Sequence, residues 1–172
     1  MAKLFRRQQS PKDTKSRQIH ELMEAQKSLL SARLRLKRDL ERMRGLKGDE
    51  GTKAVEESLE TLDLILERLS LRIETLVVTG VVDWKGIATV ATVVKKLMYE
   101  YNYLDPGITR EISEAGEALS RVWMGFEPSA SEDLKERELA TVDEEAKKVI
   151  EEAEATIRKE RSKKAGEAAS QT

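Results

Sequence analysis

The chain has 172 residues, of which 37 % are charged and 4 % aromatic, with three prolines and no cysteine. This composition is typical of long exposed helices in one domain and argues against a compact enzyme with a deep pocket. The lack of cysteine excludes a disulfide framework, cysteine-ligated zinc and thiol catalysis, and it fits a reducing cytoplasm. No apolar run approaches the roughly 20 residues that span a bilayer, and we expect no secretory signal.

The net charge of −1 conceals a strong segregation of charge along the chain. Residues 1–47 hold 14 Lys and Arg against 5 Asp and Glu, whereas residues 48–80 hold 3 against 8 and residues 127–160 hold 6 against 12. The three segments therefore carry net charges of +9, −5 and −6. A basic segment followed by acidic ones suggests intramolecular pairing, contacts within a polymer, or an anionic surface as partner.

Residues 1–16 form a basic N-terminal stretch in which two apolar residues lie between cations. One interpretation is a disordered tail. The other is a short membrane anchor, in which the apolar side chains enter the lipid interface and the cations meet anionic headgroups. Two apolar side chains bind weakly alone but gain avidity when repeated along a polymer. The anchor residues are Lys3, Leu4, Phe5, Arg6 and Arg7.

The first predicted helix spans residues 17–44 and carries an apolar seam at three- and four-residue spacing. Gly45 and Gly48 follow it as a helix stop and a turn. Its second half is strongly basic, which suits a membrane surface, a nucleic acid, the acidic C-terminal helix or simply a solvated face. The seam is Ile19, Leu22, Leu29, Leu36, Leu40 and Met43, and the predicted membrane-binding cluster is Arg33, Arg35, Lys37, Arg38, Arg42 and Arg44.

The second predicted helix, residues 53–79, has the clearest pattern in the chain. Seven apolar residues follow one another at spacings of four and three without exception, which is a seven-residue repeat. Because this seam is narrow and the other positions are mostly polar, another long helix must cover it. A long antiparallel hairpin with the first helix would bury both seams. The repeat positions are Val55, Leu59, Leu62, Leu66, Leu69, Ile73 and Leu76.

The same register continues to residue 104, and Gly80 and Asp83 are the only seam positions there that are not apolar. Gly weakens a helix interior by about 1 kcal/mol relative to Ala, and Asp is a good N-cap for a helix that begins at Trp84. We therefore predict a hinge between two helices that could also fuse into one rod. The hinge residues are Gly80, Asp83 and Gly86, with Asp105 and Pro106 at the next helix boundary.

Two smaller helices and an acidic C-terminal helix are predicted after this break, so the fold class is all-α. Asp105 and Pro106 supply a cap and an N1 proline for the fourth helix. The fifth helix is acidic and begins at capping-box spacing, and GEAASQT after it is a flexible end. The helices cover residues 84–104, 107–124 and about 131–163.

We divide the chain into a basic N-terminal anchor or tail (1–16), a helical core (17–125) and an acidic C-terminal regulatory helix with a flexible tail (126–172). Because the charges of the first and last parts are opposite, the acidic helix is predicted to lie against the basic first helix. There it would compete with lipid and with neighbouring subunits.

Residues that would indicate catalysis are scarce. His20 is the one histidine, and the chain has no Gly-rich phosphate loop and no GxSxG elbow. His20 and Glu24 stand one helical turn apart, but a catalytic zinc takes three protein ligands. We expect no enzyme activity, no cofactor and no metal site.

Five segments together point to a family. They are the start MAKLFRR, the basic RLKRDLERM, LERLSLRIETL in the second helix, WKGIATVATVVKKLMYEY after the glycine break, and LDPGITREISEAGEAL. Over most of residues 1–125 the chain resembles the ESCRT-III family of membrane-remodelling filament proteins, particularly its archaeal cell-division (Cdv) members. The bacterial phage-shock and vesicle-inducing relatives share this fold logic but are usually longer.

The resemblance implies a helical hairpin core whose smaller helices swing between closed and open forms. Open subunits would polymerise with themselves or with paralogous subunits on an anionic membrane, at the cytoplasmic face of the cell membrane. Such filaments bend, constrict or sever membranes in cell division or vesicle formation, and an AAA ATPase dismantles them.

One departure from the family concerns that ATPase. Residues 127–165 contain no full C-terminal ATPase-binding motif, because Leu134 and Leu139 lack the required partners. The resemblance therefore implies indirect recruitment of the ATPase. Two other functions remain open from the residues alone. They are a soluble coiled-coil adaptor or tether, and a basic-helix nucleic-acid-binding protein, although we do not expect nucleic acid as a partner.

Overall fold

A computed structural model describes residues 11–47, 50–100, 103, 105–125 and 132–170, and it is helical almost throughout these ranges. The described residues form five α-helices and one 3₁₀ turn, and none of them forms a strand, which confirms the all-α class. The helices are α1 (Pro11–Lys47), α2 (Lys53–Thr79), α3 (Trp84–Glu100), α4 (Pro106–Gly125) and α5 (Glu132–Ser170), with the 3₁₀ turn at Glu50–Thr52.

The helices α1 and α2 lie side by side and antiparallel. Near one end Lys15 of α1 donates from Nζ to the carbonyl oxygen of Val77 at 3.4 Å. Near the other end Nη2 of Arg44 lies 3.1 Å from Oε1 of Glu56. Most leucines of the two predicted seams are buried between these ends, including Leu22, Leu29 and Leu36 of α1 and Leu62, Leu69 and Leu76 of α2, and Leu59 is partly buried.

The helix α4 packs along another side of α1, also antiparallel, so α1 lies between two helices. Small residues make this possible, because Ala25 and Ala32 are fully buried and widen the apolar stripe of α1 beyond the predicted seam. The facing residues of α4 are Ile108, Ile112, Ala115, Leu119 and Val122, all buried.

The helix α3 packs on α4 and on α2. A Cβ atom at Gly116 would lie only 3.3 Å from Cγ1 of Val94, so the glycine allows the two helices to approach closely. The buried residues of α3 include Ile87, Val90, Val93, Val94 and Leu97, which extend one continuous core from α1 through α4.

The helix α5 lies along α2 and α3, with its direction opposite to that of α2. Its apolar stripe is buried there: Val142, Ala146, Val149, Ala153 and Ile157. The prediction that this helix lies against α1 is wrong, since α1 is not among the helices on which the described residues of α5 pack. The apolar stripe of α5 packs on the side of α2 and α3 that the other described helices leave uncovered, whereas the apolar side of α1 is already covered by α2 and α4.

Several helix ends differ from the predicted bounds. The helix α1 begins at Pro11 rather than at 17, so the last part of the predicted tail is helical. The helix α5 continues through Gly166 to Ser170, where a flexible end was predicted, because Ala, Glu and Lys are strong helix formers that tolerate one glycine. The helix α3 ends at Glu100, and residues 101, 102 and 104 lie outside the described part of the chain.

Candidate functional site

The predicted basic cluster of α1 divides into an inward and an outward group. Arg33 pairs with Asp63 of α2. Arg44 also faces α2, through its ion pair with Glu56. These guanidinium groups pair across the hairpin, although Arg44 remains exposed. The third inward residue, Arg35, turns toward α4.

Arg35 is the centre of a polar network that fixes the start of α4 on α1. Its Nη1 lies 3.1 Å from Oδ2 of Asp105, and its Nε donates to Oε1 of Glu111 at 2.9 Å. The same Glu111 oxygen accepts a hydrogen bond from Oγ of Ser31 at 2.8 Å. The backbone N–H of Asp105 donates to Oδ2 of the buried Asp39 at 3.2 Å. The hydrogen bonds to Asp105 and Glu111 raise the pKa of Arg35.

Asp105 also caps α4, as the sequence predicts. Its Oδ1 accepts a hydrogen bond from the backbone N–H of Gly107 at 2.8 Å, next to Pro106 at the first helical position. This bond, followed by the hydrogen bond from Arg35, lowers the pKa of Asp105. A Cβ atom at Gly107 would lie 2.9 Å from Oδ1 of Asp105 and 3.1 Å from Nη1 of Arg35, so glycine leaves room for the network.

The outward group consists of Lys37, Arg38 and Arg42, which are exposed. None of the three forms an ion pair with a described residue. Lys27 is likewise exposed on this side of the helix, one turn before Leu30. Since a helix turns by 100° per residue, Lys27 and Arg38 lie opposite the buried leucines of α1, and Lys37 and Arg42 lie on the two flanks.

Three apolar residues share this outward face, and the sequence reasoning missed them. The exposed fractions of Met23, Leu30 and Leu34 are 53 %, 51 % and 53 %. Their spacings of seven and four place them on one side of the helix, outside the seam that faces the core. Leu30 and Leu34 could have been found as apolar residues that do not fit the seam spacing. We define the outward face of α1 as Met23, Lys27, Leu30, Leu34, Lys37, Arg38 and Arg42.

The predicted anchor residues Lys3, Leu4, Phe5, Arg6 and Arg7 lie outside the described residues.

The predicted hinge residues lie together where α2 ends and α3 begins. Gly80 has φ of +72°, in the left-handed region that favours glycine, and its N–H donates to the carbonyl oxygen of Leu76 at 2.9 Å. Asp83 caps α3 as predicted, because its Oδ1 accepts a hydrogen bond from the backbone N–H of Gly86 at 3.1 Å. Whether this break opens remains a prediction.

Arg72 is a hinge-side residue that the sequence reasoning missed. Its Nη1 lies 3.1 Å from Oδ2 of Asp83, so it ties α2 to the start of α3. A Cβ atom at Gly86 would lie 2.9 Å from Cδ of Arg72, and the glycine therefore makes room for this side chain. No local pattern reveals such a contact, since it depends on the bend at Gly80.

The described residues contain no group of three or more His, Cys, Asp or Glu that could hold a metal ion. None of the described helices is long and apolar enough to cross a membrane. A cleft of about 560 Å³ between α3 and α4 is lined mainly by uncharged side chains, among them Val94, Met98 and Ile112, with the exposed Tyr99 at its rim.

No protein-family model, curated protein or solved structure matches the chain.

Proposed function

We propose that the chain is a peripheral membrane-binding subunit of an ESCRT-III-like filament that bends, constricts or severs membranes, in archaeal cell division or vesicle formation. The observation that carries the proposal is the outward face of α1, where half-exposed apolar side chains alternate with cations that have no ion-pair partner among the described residues. On this proposal the chain is not an enzyme, and it lies on the cytoplasmic face of the cell membrane.

An amphipathic face of this kind suits the surface of an anionic bilayer. Its apolar side chains can enter the boundary between headgroups and acyl chains while the cations meet the anionic headgroups. Each cation near such a surface contributes about 1 kcal/mol, and salt screens this attraction. One subunit therefore binds weakly, and repetition along a filament supplies the avidity.

The break between α2 and α3 suits the second half of the proposal, which is polymerisation with copies of the chain or with paralogous subunits. In the bent form Asp83 caps α3, and in a continuous helix the preceding turn would satisfy those N–H groups. The bend is thus favoured locally, and contacts between subunits would have to supply the energy of straightening. The AAA ATPase that dismantles such filaments would be recruited indirectly.

Liposome co-sedimentation tests the membrane site. We expect Lys37→Glu/Arg38→Glu/Arg42→Glu to lower partition into anionic vesicles by about 10²-fold or more, since three cations contribute about 3 kcal/mol. The matched control reverses three exposed cations of α5, Lys147, Lys159 and Lys163, and so changes the net charge equally.

The apolar half of the site needs its own variant. We expect Leu30→Ser/Leu34→Ser to reduce vesicle binding while Leu71→Ser/Leu139→Ser, at exposed positions on α2 and α5, does not. Pelleting of wild type without lipid would indicate a bare polymer, and absence of pelleting with any vesicle would favour the soluble adaptor. Binding to nucleic acid that depends on the cations but not on the leucines would favour a basic-helix nucleic-acid-binding protein.

A further inference from the structure

Among the described residues, Arg161 forms an ion pair that ties the second half of α5 to α2. Oε2 of Glu56 lies 3.0 Å from Nε of Arg161, and its Oε1 lies 3.1 Å from Nη2 of Arg44. Arg161 also donates from Nη2 to Oγ1 of the buried Thr52 at 3.2 Å. One carboxylate therefore joins α1, α2 and α5.

One helical turn further along α2, Glu60 and Glu160 of α5 line the same cleft. Glu60 lies near Glu152 and Glu160 of α5 and near Asp63 of its own helix. The cleft at this point, about 140 Å³, is lined by both acidic and basic side chains from all three helices. The charged groups around Glu60 are Glu56 and Asp63 of α2, Arg44 of α1, and Glu152, Glu160, Arg161 and Lys164 of α5. Arg33 of α1 is also nearby, since it forms an ion pair with Asp63.

Apolar packing is weaker here than in the first half of α5. Val142, Ala146 and Val149 anchor the first half, and Ala146 and Val149 belong to the main core. Beyond Ile150, Ala153 and Ile157 are the buried apolar residues of this helix, and neither belongs to that core. Residues 162–170 are exposed. The second half can therefore detach while the first half stays packed.

We propose that the second half of α5 is a pH-dependent strap, which docks on α2 most firmly at acidic pH, where Glu60 is neutral and Glu56 is still ionised, and loosens toward neutral pH. The inference is independent of the proposed membrane function, because it concerns contacts within one chain.

The two carboxylates act in opposite directions. Burial first, and then the charges of Asp63, Glu160 and Glu152, raise the pKa of Glu60 above its ordinary value of 4.5. A raised pKa means that the contribution to docking is complete at low pH and is lost as the pH rises through the docked-state pKa.

Glu56 behaves in the reverse way. Burial alone would raise its pKa, but hydrogen bonds from Arg44 and Arg161, with their charges, lower it below 4.5. Its contribution is therefore present at higher pH and is lost as the pH falls through the docked-state pKa. Docking is expected to be strongest at a pH between the two docked-state pKa values. That of Glu56 lies below 4.5 and that of Glu60 lies above 4.5.

Spin labels test this directly, since the full-length chain has no native cysteine. We place them at the exposed positions Ala54→Cys and Lys163→Cys and measure the distance distribution from pH 3 to 8. In the wild-type background the short-distance population should shrink as the pH rises through the docked-state pKa of Glu60. Each unit by which docking raises the pKa of Glu60 changes the docked-to-undocked ratio by about tenfold.

Substitutions of single carboxylates test whether the contact between α2 and α5 causes the pH dependence. Glu60→Gln should keep the strap docked at neutral pH, and Glu56→Gln should loosen it at every pH at which Glu56 of the wild type is ionised. Glu67→Gln, at an exposed position of α2, should follow the wild type. Glu160→Gln should shift the docked population in the same direction as Glu60→Gln. A wild-type distribution that does not change with pH, or Glu60→Gln and Glu160→Gln variants that both titrate like the wild type, would overturn the proposal.

Discussion

At the scale of single residues, the direction in which a side chain leaves α1 decides its role. Arg35 and Arg38 are three positions apart and chemically identical, but Arg35 is held by Asp105 and Glu111 while Arg38 is exposed. A basic cluster read from the sequence therefore contains residues that hold the fold together and residues that can meet a ligand. Only the outward cations are candidates for binding.

Glu111 allows the structural role of the Arg35 network to be measured. Its side chain is only 11 % exposed, and it accepts hydrogen bonds from both Arg35 and Ser31. We expect Glu111→Ala to lower the free energy of unfolding by about 1–3 kcal/mol, because Ser31 and Arg35 lose the carboxylate that accepts their hydrogen bonds. Urea denaturation at neutral pH measures the change.

Glu114 provides the matched control, since it is exposed on the same helix. Glu114→Ala should stay within about 0.5 kcal/mol of the wild type. Equal effects of the two substitutions would mean that the network contributes no more than an ordinary surface charge.

At the scale of secondary-structure elements, the break between α2 and α3 is built from two separable parts. Gly80 provides the left-handed C-terminal residue of α2, and Asp83 provides the N-cap of α3. Both are local devices that a substitution can remove without touching the core. Substitutions at these two residues are therefore expected to change the equilibrium between the bent and the straight form of α2–α3.

We expect Gly80→Ala/Asp83→Leu to favour a continuous α2–α3 helix by about 3 kcal/mol. The sum comprises about 1 kcal/mol for the glycine in a straight helix, about 1 for alanine at positive φ in the bend, and about 1 for the lost cap. If the sites act independently, the ratio of straight to bent forms rises by about 10²-fold. Small-angle scattering should show a longer particle, and circular dichroism should show more helix.

Asp83→Asn keeps a capping side chain and serves as the control. If Gly80→Ala/Asp83→Leu remains as compact as the wild type and does not assemble more readily, residues 80–83 act as an ordinary loop and the continuous register is coincidental.

At the scale of the whole molecule, α5 completes the core by covering α2 and α3. Truncation after Pro128 would expose the surface that Val142, Val149 and Ile157 now cover. Burying three such side chains contributes on the order of 5 kcal/mol. We expect the truncated chain to self-associate at concentrations where the full chain does not, measured by sedimentation velocity.

Truncation after Lys164 removes only exposed residues of α5 and is the control for shortening the chain. Should the chain truncated after Pro128 remain monomeric and stable, α5 would be dispensable for covering this surface.

The sequence by itself determined the five helices, the breaks between them and most of the residues that face the core. A seven-residue repeat, an N-capping Asp83 and a Pro106 at the start of α4 act through neighbours within one or two turns of the chain. Because these interactions join residues that are close in the chain, the rules that describe them can be applied to the sequence alone. The same rules identified a surplus of cations on α1 but not which of them are free.

The tertiary structure decided which helices meet. Charge segregation predicted that α5 lies on α1, yet α5 packs on the acidic α2 and on α3. The reason lies in the size of the two contributions to stability. An exposed ion pair contributes up to about 1 kcal/mol and is screened by salt. Each fully buried aliphatic side chain contributes about 1.5–3 kcal/mol. Apolar burial by Val142 and Val149 thus outweighs the repulsion at Glu60, and the outward face of α1 remains open.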